Sequence, residues 1–281
     1  MNGKIAIVTG ASAGMGRQIS LELARAGVTV VMVCRDRERG QAAVADVRER
    51  SGNAGPELLL ADLSSQQSIR SAVSEFQSHH QQLHLLVNNV GVSVPRRTET
   101  VDGIETVLAT NHLAPFLVTN LLLATLKASA PSRIVTVSSG GQAMARLNLD
   151  DLQSSRSYSE IAAYNQTKLL NLMFTYELAR RLEGTGVTAN AVEPGFVRTN
   201  MKVPFPFSFF SFMRVPVEKG ALPTVHVATS PALDGVSGKF FSKSGVEIKS
   251  AKISYDEDAA RRLWLISAEL THLPAETPRR T

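Results

Sequence analysis

The sequence predicts a doubly wound α/β fold: one parallel sheet of about seven strands with helices on both faces. Three observations predict it. Short β-branched or wholly apolar runs alternate with segments of helical periodicity along most of the 281 residues. Several of the runs, such as residues 28–34, are apolar without alternation, as strands buried on both faces are. A glycine-rich turn, TGASAGMG, lies at the junction of the first run and the first helix.

Taken in order, residues 5–9 form the first strand, and residues 14–26 carry Ile19, Leu23 and Ala26 on one helical face. The strand at 28–34 leads into a helix over 37–50. A third strand, 57–61, is followed by the loop 62–65 and a helix over 68–78. The fourth strand covers 83–87, and a long helix covers 103–129, with Pro115 predicting a kink or local break inside it. The fifth strand is 133–137. A long amphipathic helix, 161–182, leads to the sixth strand, 187–192, and a short seventh is expected at 239–241. The chain reads as one domain over 1–273, with a frayed tail over 274–281.

Composition narrows the function. With 43% apolar and 20% charged residues, the chain has the make-up of an ordinary soluble globule. A net charge of +5 without a dense Lys/Arg block argues against a nucleic-acid partner. The single cysteine, Cys34, allows no intrachain disulfide and fits a reducing, cytoplasmic setting. No secretory signal is visible, no apolar run approaching the ~20 residues of a spanning helix is found, and no zinc or calcium ligand spacing occurs.

In the glycine turn, Gly10, Ser12, Gly14, Met15 and Gly16 would bring backbone close to a dinucleotide pyrophosphate at a helix N-terminus. TGxxxGxG at this junction resembles the cofactor loop of the short-chain dehydrogenase/reductase family, which has a Rossmann fold. Three further motifs carry the resemblance: Asn88-Asn89-Val90-Gly91 after the fourth strand, Ser138-Ser139 after the fifth, and Tyr164-Asn165-Gln166-Thr167-Lys168 on the next long helix. It covers residues 1–245.

The chemistry of the last motif follows from spacing. A tyrosine has an ordinary pKa near 10 and acts poorly as an acid or base at neutral pH unless an ammonium stabilises its phenolate. Residues i and i+4 share a helix face. Tyr164 and Lys168 meet that condition; Tyr158, whose i+4 neighbour is Ala162, does not. The resemblance implies that Tyr164 is the acid/base, that Lys168 also holds the nicotinamide ribose, that Ser139 orients the substrate oxygen, and that Asn111 supports a proton relay. It also implies that Asp62 and Leu63 flank the adenine and that Asn89 and Gly91 lie along the cofactor. Pro194 and Gly195 would shape the turn under the nicotinamide, with Val197 and Thr199 at its carboxamide.

Where an NAD-specific fold carries an acid at the end of the second strand, this chain has Cys34, followed by Arg35; Arg17 follows Gly16. Two guanidinium groups suit a 2′-phosphate, so NADP(H) is expected over NAD(H). Asp36 stands one register step away and would restore an acid.

The 24 residues between Ser139 and Tyr164, with CRD at the second strand and NHLAPFLVT in the fourth helix, resemble the retinol-dehydrogenase-like branch and its WW-domain oxidoreductase relatives. That branch implies a small lipophilic alcohol or carbonyl substrate: a retinoid, a steroid or an aromatic carbonyl. Membrane-bound animal members add an N-terminal anchor; this sequence starts at the first strand, and a soluble protein is expected. Val203 to Pro216 holds five of the eleven phenylalanines and falls within the expected substrate lid, about residues 200–218. Core or oligomer contact and a peripheral membrane contact are the alternatives for it. Homo-oligomers are common in the family. Two other functions stand beside the oxidoreductase: a non-catalytic dinucleotide-binding sensor or scaffold, and an epimerase or dehydratase that uses its nucleotide transiently.

Overall fold

The computed structural model describes residues 1–197 and 215–274. Its seven strands are β1 (Ile5–Thr9), β2 (Thr29–Cys34), β3 (Glu57–Leu60), β4 (Leu85–Asn88), β5 (Ser132–Val137), β6 (Val187–Val192) and β7 (Phe240–Phe241). They form one sheet in the order β3-β2-β1-β4-β5-β6-β7, and every pairing is parallel. The strand order reverses direction between β1 and β4, the switch point at which doubly wound sheets open a crevice for ligands.

Alternate strand residues serve the two faces. Ile7, Val31, Val33, Leu86 and Ile134 enter one core with Phe116, Phe174 and Trp264. Ala6, Val8, Val30, Met32, Leu85, Val87, Val135 and Val137 enter the other with Ile19, Leu23 and Val44. The unbroken apolar runs of the sequence are therefore strands covered on both sides, each buried leucine or isoleucine contributing about 1.5–3 kcal/mol.

The helices are α1 (Gly14–Arg25), α2 (Arg37–Ser51), α3 (Gln66–His79), α4 (Thr106–Leu108), α5 (Ala114–Ala128), α6 (Glu160–Arg181), α7 (Val217–Thr229) and α8 (Glu257–Leu270). Where one long helix is expected over 103–129, α4 passes through a π turn, Ala109–Leu113, into α5. Pro115 accounts for the break: it has no N–H to give the carbonyl four residues back, that of Asn111. Contrary to the expectation that no apolar run approaches a spanning length, the stretch Thr106–Ala128 is long and apolar enough to cross a membrane; 78% of its most apolar window is buried inside the protein, as in a core helix.

Helices α7 and α8 lie beyond the elements that periodicity predicts. α8 starts at Asp256, whose carboxylate caps the amide of Ala259, and turns Ala260, Leu263, Trp264 and Ser267 inward. α7 contains Pro223 and packs on α1, with Ala221 in the core that holds Ile19 and Leu23. A Cβ on Gly220 would lie 2.4 Å from the Val197 side chain, so glycine makes room for Val197 there. Residues 198–214, with Thr199 and nearly all of the Phe-rich segment, and residues 275–281 lie outside the described residues. The flanking residues Val197 and Val215 pair as a parallel bridge.

Candidate active site

A cleft of about 460 Å³ opens at the C-terminal ends of β1, β4, β5 and β6. The first wall is the glycine turn. Gly10 and Gly14 adopt φ of +67° and +55°. A Cβ at Gly16 would stand 2.2 Å from the Gly10 carbonyl oxygen and 2.7 Å from Asn89 Nδ2, so backbone fills the place a side chain would take. Met15 joins these glycines in lining the cleft; Ser12 does not.

Thr9 ties this turn to the loop after β4. Its Oγ1 accepts the amides of Asn89 (2.9 Å) and Val90 (3.1 Å), and its carbonyl accepts Asn89 Nδ2 (2.9 Å). Asn89 Oδ1 is buried with no hydrogen-bond donor among the described residues, which leaves an acceptor at the cleft wall. Gly91 lines the same wall.

Ser138 and Ser139 follow β5 directly. Ser138 Oγ donates to the Lys168 carbonyl at 2.8 Å, tying the strand end to α6. Ser139 Oγ accepts the Gly141 amide at 3.2 Å, and its interaction with the Tyr164 hydroxyl pulls that phenol's pKa down. On α6, Tyr164 and Lys168 face the cleft one turn apart, with Lys168 Nζ 5.3 Å from the tyrosine ring centroid. The ammonium also donates to the Val137 carbonyl at 3.2 Å. Burial disfavours the charged form of each group. It pushes the Tyr164 phenol up, against the opposing pull of Ser139, and brings the Lys168 ammonium down to about 8.

Asn111 does not line the cleft; it sits in the π turn, fully buried. Its side chain braces the neighbouring loop through Val92, accepting the amide at 2.7 Å and donating to the carbonyl at 2.9 Å, and it donates to Thr167 Oγ1 at 3.2 Å. Thr167 Oγ1 in turn donates to the Tyr164 carbonyl. The Asn111 carbonyl that Pro115 leaves free accepts Asn171 Nδ2 at 2.9 Å. Asn171 carries no motif signal in the sequence.

Tyr158 lies before α6, and its hydroxyl donates to the Val94 carbonyl at 2.7 Å. Ser93 Oγ donates to Glu160 Oε1 at 2.8 Å. Both bonds hold the loop that follows Gly91. Pro194, Gly195, Phe196 and Val197 also line the cleft, as do Met144 and Ile161. Met144 and Phe196 are 59% and 37% exposed, an apolar surface at the mouth.

Besides Ser12, four expected cofactor residues do not line this cleft: Leu63, Asp62, Arg35 and Arg17. Leu63 is buried in the core, and Asp62 accepts hydrogen bonds from the amide and hydroxyl of Ser64. Cys34, the last residue of β2, is buried, and burial pushes its thiol up to about 11. Arg35 is exposed, and Arg17 lies 3.8 Å from Asp46. Asp36 caps α2, accepting the Arg39 amide at 2.8 Å.

A family model described as short chain dehydrogenase matches residues 4–206. The chain is 42% identical to mouse retinol dehydrogenase 14, over 95% of this chain and 85% of the relative. It is 39% identical to human retinol dehydrogenase 11, over 98% and 87%. A crystal structure of an uncharacterized protein from Mycobacterium paratuberculosis superposes with a TM-score of 0.81 at 32% identity, covering 98% of this chain and 96% of that one. A short chain dehydrogenase from Burkholderia cenocepacia in complex with NADP gives 0.70 at 25% identity, over 86% and 96%.

Proposed function

The chain belongs to the short-chain dehydrogenase family, and from that membership we propose that it is an NADP(H)-dependent oxidoreductase that interconverts a lipophilic alcohol and its aldehyde or ketone. One domain, residues 1–273, carries the activity. The observation that carries the reading is the convergence of Ser139, Tyr164 and Lys168 in one cleft with a glycine turn that only backbone can fill. The turn of Gly10 to Gly16, the spare acceptor of Asn89 and the ammonium of Lys168 fit a nicotinamide dinucleotide. Bound there, that cofactor supplies or accepts the hydride.

The protein's own groups handle the oxygen and the proton. Ser139 and Tyr164 together hold the carbonyl oxygen. In the reducing direction Tyr164 gives that oxygen its proton, and the nearby Lys168 ammonium stabilises the phenolate left behind. In the oxidising direction the phenolate takes the alcohol proton. The raised phenol suits the proton donor at neutral pH. Apolar Met144, Ile161, Phe196 and Val197 fit a substrate of the retinoid, steroid or aromatic carbonyl class and keep water from the reacting atoms. The names of the relatives point the same way.

Lys168 is cationic below about 8 and neutral above it. Carbonyl reduction should therefore be flat from pH 6 to 7.5 and fall as pH rises through about 8. A pH profile of kcat checks this, and a rate still climbing past pH 9 removes Lys168 from the proposed role.

The preference for NADP(H) rests on the end of β2. Cys34 is apolar in character there, Arg35 and Arg17 offer charge to a 2′-phosphate, and the Asp36 carboxylate is engaged in the α2 cap. Arg35→Ala should raise the KM for NADPH by about tenfold or more, the worth of a hydrogen bond to a charged group, and leave that for NADH unchanged. An equal effect on both cofactors, or a parent preference for NADH, overturns the assignment. The reaction itself is tested by NADPH oxidation with retinal, long-chain aldehydes, steroid ketones and aromatic ketones. NADPH binding without turnover on any of them favours a sensor.

A further inference from the structure

Outside the cleft, a buried polar relay joins α8 to the π turn. Ser267 Oγ lies 2.9 Å from His112 Nε2, and His112 Nδ1 lies 3.2 Å from Asn171 Oδ1. Asn171 Nδ2 donates to the Asn111 carbonyl at 2.9 Å. Ser267, His112, Asn171 and Asn111 are each at most 1% exposed. The direction of every bond follows. Asn171 spends its amide N–H on Asn111, so its oxygen faces the imidazole and His112 Nδ1 must carry the proton. Nε2 then accepts the Ser267 hydroxyl. The imidazole stays neutral in this tautomer, because burial lowers its pKa to about 4.

The relay ends on the residue that braces the cleft. Asn111 holds Val92 on both its amide and its carbonyl, one residue past Gly91, and reaches Thr167 beside Lys168. Asn111 is pulled from one side by this bracing and from the other by Asn171. The carbonyl would have no such partner in an unbroken helix, since Pro115 is what frees it. His112 itself does not line the cleft.

We infer that His112 is a positioning residue: through Asn171 it fixes the π turn on Asn111, and so sets the loop over 89–93 against the α6 turn bearing Tyr164 and Lys168, with Ser267 of α8 anchoring the far end. Only the kinetic consequence rests on the oxidoreductase reading.

His112→Phe tests it, because a phenyl ring fills the space beside Phe116 and Phe174 but makes neither hydrogen bond. Two readouts are taken. The first needs no turnover: hydrogen exchange at the Val92 amide should quicken by roughly tenfold while β1 amides stay as protected as in the parent. The second is kinetic: kcat for NADPH-driven reduction should fall by roughly tenfold to a hundredfold, with the NADPH Kd within about twofold of the parent. His112→Gln, which keeps an N–H for Asn171, should regain part of that rate. Should the phenylalanine variant not fold, Ser267→Ala removes one hydroxyl at the far end and is read in the same two ways, with smaller changes in the same direction. Unchanged Val92 exchange overturns the inference. So does a loss of NADPH affinity as large as the loss of kcat, the sign of general structural damage. A parent that binds NADPH but reduces no substrate refutes the oxidoreductase reading instead, and the exchange measurement then decides the inference alone.

Discussion

Tyr164→Phe should lower turnover by roughly 10²- to 10⁴-fold, about 3–5 kcal/mol of barrier, while NADPH still binds with a Kd near that of the parent. The substitution removes one hydroxyl, the group that interacts with Ser139 and lies one helical turn from Lys168. The ring stays, so the packing of α6 and the cleft wall are retained. Removing the donor leaves the developing alkoxide with Ser139 alone. The control is Tyr158→Phe. That hydroxyl is bonded to the Val94 carbonyl rather than turned to the reacting groups, so its loss should shift KM a few-fold and leave kcat nearly intact. Parallel kcat, KM and NADPH titrations on the two variants check both statements. If Tyr164→Phe keeps more than about a tenth of the parent rate, another residue gives the proton.

Gly16→Ala should weaken NADPH binding by roughly tenfold to a hundredfold, the effect of about 1–3 kcal/mol of overpacking. The added Cβ would meet the Gly10 carbonyl oxygen at 2.2 Å and Asn89 Nδ2 at 2.7 Å. The first of these atoms is backbone, so the turn must shift. That shift moves the amides at the start of α1 and disturbs the bonds Asn89 makes to Thr9. Melting temperature should fall as well, and addition of saturating NADPH should restore less of it than in the parent. A fluorescence titration with NADPH measures the affinity; a Kd within about twofold of the parent would show that the turn does not hold the cofactor.

Much of the fold is legible because its signals are local. Runs such as Val30–Val33 show two-sided burial without any knowledge of their neighbours, and the positions of Ile19 and Leu23 mark a helix face. The seven strands fall where the apolar runs are, within one or two residues, and the break in the fourth helical segment stands where Pro115 announces it. The helices after β6 are less legible. α7 holds Pro223 and Gly220, which weigh against a helix on propensity; its burial against α1, with Ala221, Val227 and Ala228 in the shared core, outweighs them. α8 does carry a signal, Asp256 ahead of Ala260, Leu263 and Trp264, which periodicity applied to the last quarter of the chain would find.

The site divides in the same way. Motif spacing brings Tyr164, Lys168, Ser139 and the glycines into one cleft, since each motif stands at the C-terminal end of a parallel strand or one helical turn from its partner. Spacing also separates Tyr158 from Tyr164. It says nothing of Ser138 holding the Lys168 carbonyl, of Asp36 closing α2, or of Asn171 and His112 reaching Asn111. Apart from the Asp36 cap, those bonds join residues 30 to 60 positions apart, and a hydrogen bond between distant segments has no periodicity to betray it. The amino-acid sequence by itself determined the sheet, the glycine turn and the tyrosine–lysine pair, because helix and strand geometry convert spacing directly into shared faces. Only the tertiary structure decided which carbonyl Pro115 frees, which amide takes it and how α8 is tied to the cleft, because buried polar groups find partners wherever the packed chain brings them.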